Sequence, residues 1–529
     1  MTAAPRSADW IAAAADAAEA WAARHKGPDD TLVCASGISP SGPIHLGNLR
    51  EVLTTHFVAE ELRARGRKVD HLHSWDDFDR LRKVPVGIPE HFAEFIGQPL
   101  SRVPDPQGEL PSWADRYIQQ FRAAVEPLGV QARWVRQSEM YGTRNAYADA
   151  VCDCLARRHE IFEVLARYQT EKLQELSLDE RREAFWPYRV YDPVTGRDDA
   201  ELLSYDPDTC VLTWRSRGDG SVAQADLRTE SPGKLVWKVD WPMRWAFEKV
   251  DFEPGGADHS SPGSSYTVGS ELVRTFFAWD PPEYVPYAFV GFGGQSKMSS
   301  SRGVSATPDF ALQFVEPALL RWLYLRRRPD AEFAIDFGEQ LWRAYDEWDA
   351  LARKVEAGEV DGVEAAMYHR ALRTSAGEVA APRRRVAFRT LWTALDSTQG
   401  DRTQTLRIAA AHLDDDPDPA TLEAELEPRL TCAAGWVEHV LPEEDRVRPR
   451  EAFDRAAWDA LDPREQQAIA RLLAEASSPW TLHKLESLLY GVPKLMAGLP
   501  LDADPPAEVK KAQRELFKAL YRLLLDAER

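Results

Sequence analysis

The stretch that most restricts the fold runs from Thr31 to Trp75. TLVCASG (31–37) reads as a short buried strand, and a Pro/Gly/Ser loop follows it. Apolar periodicity then predicts a helix from about Leu49 to Arg65, and KVDHLHSW (68–75) forms a second strand candidate. Strand, Gly-rich turn, helix, strand is one βαβ unit of a parallel sheet, and such sheets take ligands at the carboxyl ends of their strands. The expected fold class is α/β, a Rossmann-like parallel-sheet domain whose nucleotide site lies near residues 37–48.

A chain of 529 residues with 44% apolar composition exceeds one core, because single cores stop growing at roughly 250–300 residues. Between about 150 and 235, helical stretches alternate with short strand-like pieces and turn residues (YDPVTGRDD, SRGDGS), the pattern of an insertion carried on the sheet domain. From about Ala311 helical periodicity dominates, with Pro-containing breaks at 416–419 and 501–506. Domains are thus expected at 1–295 (Rossmann-like catalytic, with the insertion), 296–345 (connecting) and 346–529 (α-helical). No apolar run approaches the roughly 20 residues that cross a bilayer, and the N-terminal segment is amphipathic instead of an unbroken signal core. The expected location is the cytoplasm, away from membranes. Five cysteines, an odd number, argue against a disulfide scaffold, and Cys152 and Cys154 lack a second pair nearby to complete a metal site. The net charge of −20 excludes a general DNA binder but leaves room for one RNA partner held by a local basic track.

Two segments carry chemistry. The first is Pro40-Ser41-Gly42-Pro43-Ile44-His45-Leu46-Gly47-Asn48, on the turn between strand and helix. Glycines let backbone approach a nucleotide, the helix start offers unpaired N–H groups, and His45 can donate to phosphate oxygens as charge builds. The second is Lys297-Met298-Ser299-Ser300-Ser301-Arg302-Gly303, within GFGGQSKMSSSRG, where a cation and hydroxyls among glycines suit a loop that neutralises a polyphosphate. The alternative reading of each alone is structural: a capping loop for the first, a solvated loop for the second.

In this order the two segments resemble the HIGH and KMSKS signatures of class I aminoacyl-tRNA synthetases, as His45-Leu46-Gly47-Asn48 and Lys297-Met298-Ser299-Ser300-Ser301. Asn48 stands where many members have a second histidine, and Ser300 where the second signature lysine often lies. Within the class, SGISPSGPIHLGNLRE, HSWDDFDRLRKVP, GKLVWKVDWPMRWAFEKVDFEPGGADH and YVPYAFVGFGGQSKMSSSRG are similar to the lysine-specific family over most of residues 30–330. The resemblance implies activation of L-lysine by ATP with Mg²⁺, and transfer to the terminal adenosine of tRNA(Lys) by a monomer. It implies catalytic roles for His45, Asn48 and Lys297. ATP contacts would come from Pro40, Ser41, Gly42, His45, Gly47, Asn48, Gly256, Asp258, Lys297, Met298, Ser299 and Ser300, and a lysine pocket from Gly37, Ser39, Trp241, His259 and Tyr287. Asp258 has a second reading as a helix cap. The cysteine pairs that many members carry near 205–235 are reduced to Cys210, which argues against zinc there. The helical C-terminal half would hold the anticodon, with basic clusters at Arg326–Arg328, Arg383–Arg385 and Lys510, Lys511, Arg514, and with Phe388, Trp392 or Trp480 available for base stacking. Two other functions share the motifs: an adenylate-forming ligase that uses no tRNA, and a noncatalytic paralogue that binds RNA or amino acid.

Overall fold

Strand β1 (Leu32–Ile38) is buried along almost its whole length, as a strand covered on both faces must be, and it pairs in parallel with β2 (Val69–Trp75) from Leu32 opposite Val69 to Ile38 opposite Trp75. Helix α1 (Trp10–Ala22) precedes β1, and α2 (Leu46–Ala64) makes the crossover to β2. Leu49, Val52, Leu53, Phe57, Val58 and Leu62 of α2 are all sealed from solvent. Helix α3 (Trp113–Val125) then leads to β3 (Arg133–Arg136), parallel to β2. This computed structural model describes residues 9–168, 177–261, 263–293, 306–360, 362–415, 417–476 and 482–525.

The insertion follows. Helices α4 (Ala148–Ala156), α5 (Arg158–Arg167) and α6 (Leu178–Ala184) come first. Strands β4 (Tyr188–Val190) and β8 (Gly233–Leu235) then pair antiparallel around a three-stranded antiparallel sheet of β5 (Glu201–Asp206), β6 (Val211–Arg215) and β7 (Val222–Asp226). After α7 (Trp237–Glu248) the chain returns to the main sheet as β9 (Phe252–Gly256), passes through α8 (Ser265–Phe276) and adds β10 (Glu283–Tyr287). The finished sheet has five parallel strands in the order β10-β9-β1-β2-β3. The chain leaves β1 toward β2 and β3 and later adds β9 and β10 on the opposite side. A topological switch point therefore opens between the carboxyl ends of β1 and β9, the place where doubly wound sheets bind ligands.

Beyond β10, strand β11 (Val290–Phe292) pairs in parallel with β12 (Phe333–Ile335). The first of two compact units takes in residues 1–385 and 427–432, so it reaches past residue 346, where the sequence suggested the helical domain begins. Aromatic packing accounts for the extension. Trp322 meets Trp348 at 5.5 Å between ring centres, and Trp348 meets Tyr368 at 4.9 Å, joining helices Pro317–Leu325, Glu339–Glu356 and Gly362–Leu372. Arg429, fully buried, is held in the same unit by Glu316 at 2.5 Å and Asp349 at 2.7 Å. The second unit (386–426 and 433–529) is helical, with a core that includes Leu461, Ile469, Leu472, Val492 and Leu516. No helix among the described residues is long and apolar enough to cross a membrane.

Candidate active site

His45 is the N-cap of α2. Its ring Nδ1 accepts the Asn48 backbone N–H at 3.3 Å, while the Asn48 side-chain oxygen accepts the His45 backbone N–H at 3.3 Å. This is a reciprocal capping box built from a histidine and an asparagine. Because Nδ1 is an acceptor, the neutral ring carries its proton on Nε2. The backbone N–H of Asn48 fixes the tautomer, while its side chain, the departure from the usual signature, closes the box on the His45 backbone N–H. Gly47 makes room for it: a Cβ there would stand 2.8 Å from both Nδ1 and Cε1 of His45. Gly47→Ala is expected to push the ring off its cap and to lower any turnover that depends on the His45 ring about 100-fold, while the folded fraction by circular dichroism stays unchanged.

The turn before the helix is short. Ser41 N–H bonds to Ser39 O at 2.8 Å, and Pro40 and Gly42 are buried. Lys297, Met298, Ser299 and Ser300 lie outside the described residues, but the chain on either side of them meets α2. Leu46 N–H donates to Ala306 O at 2.8 Å, and the Cβ position on Gly47 lies 3.8 Å from Val290 O.

At the switch point a cavity is lined by Gly37, Glu51, Ser74, Asp76, Gln137, Trp237, Trp241, Arg244, Glu253, Gly255 and His259, among others. Gly37 is the last residue but one of β1, and its N–H donates to Glu51 at 2.6 Å. Tyr287, ending β10, donates its hydroxyl to the same carboxylate at 2.7 Å. Trp241 and Trp245 donate their indole N–H groups to the two oxygens of Glu253 at 3.0 and 2.6 Å. His259 stands 5.7 Å from the Trp241 ring and 6.1 Å from Trp237, forming an aromatic wall. Gly256 and Asp258 sit at the end of β9 and on the short turn after it, with Asp258 exposed. The structure thus gathers Gly37, Trp241 and His259 around one cavity and ties Tyr287 to it through Glu51. Ser39 is two positions past Gly37 and is not among the lining residues.

Glu51, Glu253, Asp76 and Arg244 escape the reading of the sequence. Asp76 is balanced by Arg244 at 2.7 Å, which also donates to Ser74 at 2.7 Å. Arg244 and Lys234 share Asp240, at 3.5 and 3.4 Å, and Lys234 reaches Asp79 at 2.6 Å, so the cavity floor is an ionic network running into the insertion. Glu51 and Glu253 have only neutral donors on their oxygens, and among the described residues neither makes an ion pair. Burial pushes the Glu51 carboxyl up to about 8 and that of Glu253 up to about 7. Glu51 has no cation acting on it, and Glu253 feels only Arg244, which is itself bound to Asp76 and Asp240, so the pair can still take up cations. One signal was present in the sequence: Trp237, Trp241 and Trp245 recur every four residues beside a parallel row of Asp240, Arg244 and Glu248, placing an aromatic stripe and a charged stripe side by side on α7.

A parallel sheet with a capped helix at its first crossover and a polar cavity at its switch point defines a doubly wound, nucleotide-binding type of enzyme. Residues 8–377 match the family model described as tRNA synthetases class I (K). The chain is 41% identical to a lysine–tRNA ligase of Streptomyces coelicolor, across 98% of this chain and 94% of that one. It is 33% identical to that of Thermococcus kodakarensis (96% and 93%) and 30% identical to that of Borreliella burgdorferi (96% and 92%). The chain belongs to the class I (K) family of tRNA synthetases.

Proposed function

We propose that this protein joins L-lysine to tRNA(Lys): lysine and ATP form lysyl-adenylate and diphosphate, and the lysyl group then passes to the 3′-terminal adenosine, releasing AMP. The observation that carries the choice of amino acid is the pair of buried acids, Glu51 and Glu253, that make no ion pair among the described residues and share one cavity with Trp241. Lysine brings two ammonium groups joined by an aliphatic stem, so one acid per ammonium and an indole wall along the stem satisfy all of it. The attacking carboxylate is ionised at neutral pH, and the first step needs no general base. What remains is holding two anions together and meeting the charge that develops on phosphorus. In this reading His45 Nε2–H and Lys297 perform that task, Gly256 and Asp258 receive the adenosine, and Pro40, Ser41, Gly42, Gly47 and Asn48 shape the turn beneath the phosphates.

Mg²⁺ enters as part of the ATP complex. Among the described residues no group of three or more His, Cys, Asp or Glu side chains is arranged to hold an ion, and Mg²⁺ is commonly carried by phosphates and water rather than by a protein cage.

The tRNA calls for a cationic, stacking surface, and the helical unit has one. On helix Ala507–Leu524, Lys510, Arg514, Phe517 and Tyr521 recur at i, i+4, i+7 and i+11 and share one face, with Lys511 and Lys518 beside it. Tyr521 is 52% exposed, and Phe517 packs on Tyr490, itself 53% exposed, at 5.3 Å. These aromatics join the stacking candidates suggested by sequence, of which Phe388 is fully buried, Trp392 packs half-buried on Trp436 at 4.7 Å, and Trp480 lies outside the described residues. Of the other basic clusters, Arg326 pairs with Glu347, Arg328 with Asp330 and Arg385 with Glu356. Tyr521→Ala is expected to raise the KM for tRNA about tenfold, the loss of one base stack, with the KM for lysine unmoved.

The cytoplasm, a monomeric state and no DNA partner complete the proposal. Its test is charging of total tRNA by the purified protein with each amino acid in turn. Lysine alone should be esterified. Charging with another amino acid overturns the specificity. Adenylate formation without any charging would favour the tRNA-free ligase, and neither activity would favour the noncatalytic paralogue.

A further inference from the structure

Arg50 follows the His45 motif on α2 and is 3% exposed, yet it meets no carboxylate among the described residues. Its guanidinium donates to three backbone carbonyls: Ala288 O at 2.9 Å, Arg328 O at 2.7 Å and Ala331 O at 2.9 Å. Phe333 lies under the guanidinium, 5.1 Å from ring centre to carbon. These contacts fall on two pieces of chain. Ala288 stands between Tyr287, the end of β10, and β11, while Arg328 and Ala331 belong to the turn entering β12. The two pieces also hold each other, through Ala288 N–H to Pro329 O at 2.8 Å and through the β11–β12 pairing. Residue 51 grips the same junction from the other side, since Glu51 accepts the Tyr287 hydroxyl. Near the helix start, Tyr324 donates to Leu46 O at 2.7 Å and Leu46 N–H to Ala306 O at 2.8 Å.

A buried cation is costly unless its donors are matched, and a planar guanidinium matches several carbonyls where an ammonium cannot fix their relative placement. We propose that Arg50 is a positioning residue for lysine activation: it locks the β11–β12 pair, the described chain that leads toward Lys297, onto the first turns of the helix capped by His45. The inference rests on the functional reading above. Arg50 spends its donors on backbone carbonyls of the chain flanking β11 and β12, and it acts by holding that pair against the helix capped by His45.

The test compares Arg50→Met and Arg50→Lys with wild type in tRNA charging, and in ATP–diphosphate exchange with tRNA present, alongside equilibrium binding of lysine. Arg50→Met is expected to lower kcat about 100-fold and to raise the KM for ATP, with the lysine Kd within about twofold of wild type. Arg50→Lys, which keeps charge without the planar fork, should show the same split with a smaller loss. A purely structural arginine would instead lower the apparent kcat and the lysine-binding stoichiometry together by the unfolded fraction and leave KM and Kd unchanged, and that pattern, or unchanged kcat and KM in Arg50→Met, overturns the proposal. If Arg50→Met does not fold, the split in Arg50→Lys decides alone. Absence of lysine-dependent activity in wild type would overturn the functional reading, and this inference with it; an active wild type with indifferent variants overturns only the role of Arg50.

Discussion

His45→Ala is expected to slow lysine activation about 10²- to 10³-fold, the usual loss when one preorganised donor is removed from a developing charge. The difficulty is that His45 also caps α2, and a helix that loses its cap gives up about 1 kcal/mol. A drop in activity with His45→Ala alone would therefore not separate chemistry from architecture. His45→Asn does. Asparagine is a favourable N-cap whose side-chain oxygen can accept the Asn48 N–H now taken by Nδ1, but it lacks the Nε2–H of the imidazole. The expected outcome is wild-type thermal stability in His45→Asn, reduced stability in His45→Ala, and the same deep loss of activation in both. Recovery of activity in His45→Asn would show that the residue serves only as a cap.

That ambiguity illustrates what could be read in the sequence. The βαβ unit was legible because its signals are local: a strand period, a Gly-rich turn and a helix start within Thr31–Trp75. Asn48 was legible only as a departure from a pattern, since its side chain bonds the His45 backbone N–H in a capping box that needs the His45 ring turned back toward the helix, a direction no sequence shows. The switch point depends on Phe252 lying opposite Cys34, a pairing across most of the first unit, and the sequence offers no local trace of it. The extent of the first unit was hidden for a related reason. Helices before and after residue 346 have similar periodicity, and their allegiance is decided by long-range partners such as Trp322 and Trp348. Glu51 and Glu253 were the largest omission. An acid on a helix or strand ordinarily faces water, and what distinguishes these two is the missing countercharge, visible only once Gly37, Tyr287 and two indoles surround them.

Glu51→Gln puts that missing charge to the test. Removing one partner from a buried, hydrogen-bonded charge pair costs about 2–5 kcal/mol, so lysine should bind from about 30-fold to several thousand-fold more weakly. The amide keeps the shape: its oxygen can still accept the Gly37 N–H, and the Tyr287 hydroxyl can rotate to accept from the amide nitrogen. The pH dependence makes the result specific. In the empty protein burial raises Glu51 to about 8 and Glu253 to about 7, above their ordinary values, so each binds its proton more tightly folded than unfolded. Those protons favour the empty fold below the raised values, an advantage that fades as pH rises through them, and they must leave before an ammonium can pair. Lysine affinity in wild type is therefore expected to peak near pH 8, before the ligand's own ammonium groups lose their protons, and to weaken as pH falls, about tenfold per unit for the first proton and up to about 100-fold per unit once the second is bound. Glu51→Gln should retain only the break near 7, from Glu253, with at most a tenfold change per unit, and should be at least as stable as wild type at pH 8, where residue 51 no longer has to ionise in a buried position. Calorimetry in buffers of different ionisation heat would count the protons released on lysine binding directly. Unchanged affinity and an unchanged proton count in Glu51→Gln would remove Glu51 from the lysine site and leave Glu253 as the sole charge reading an ammonium.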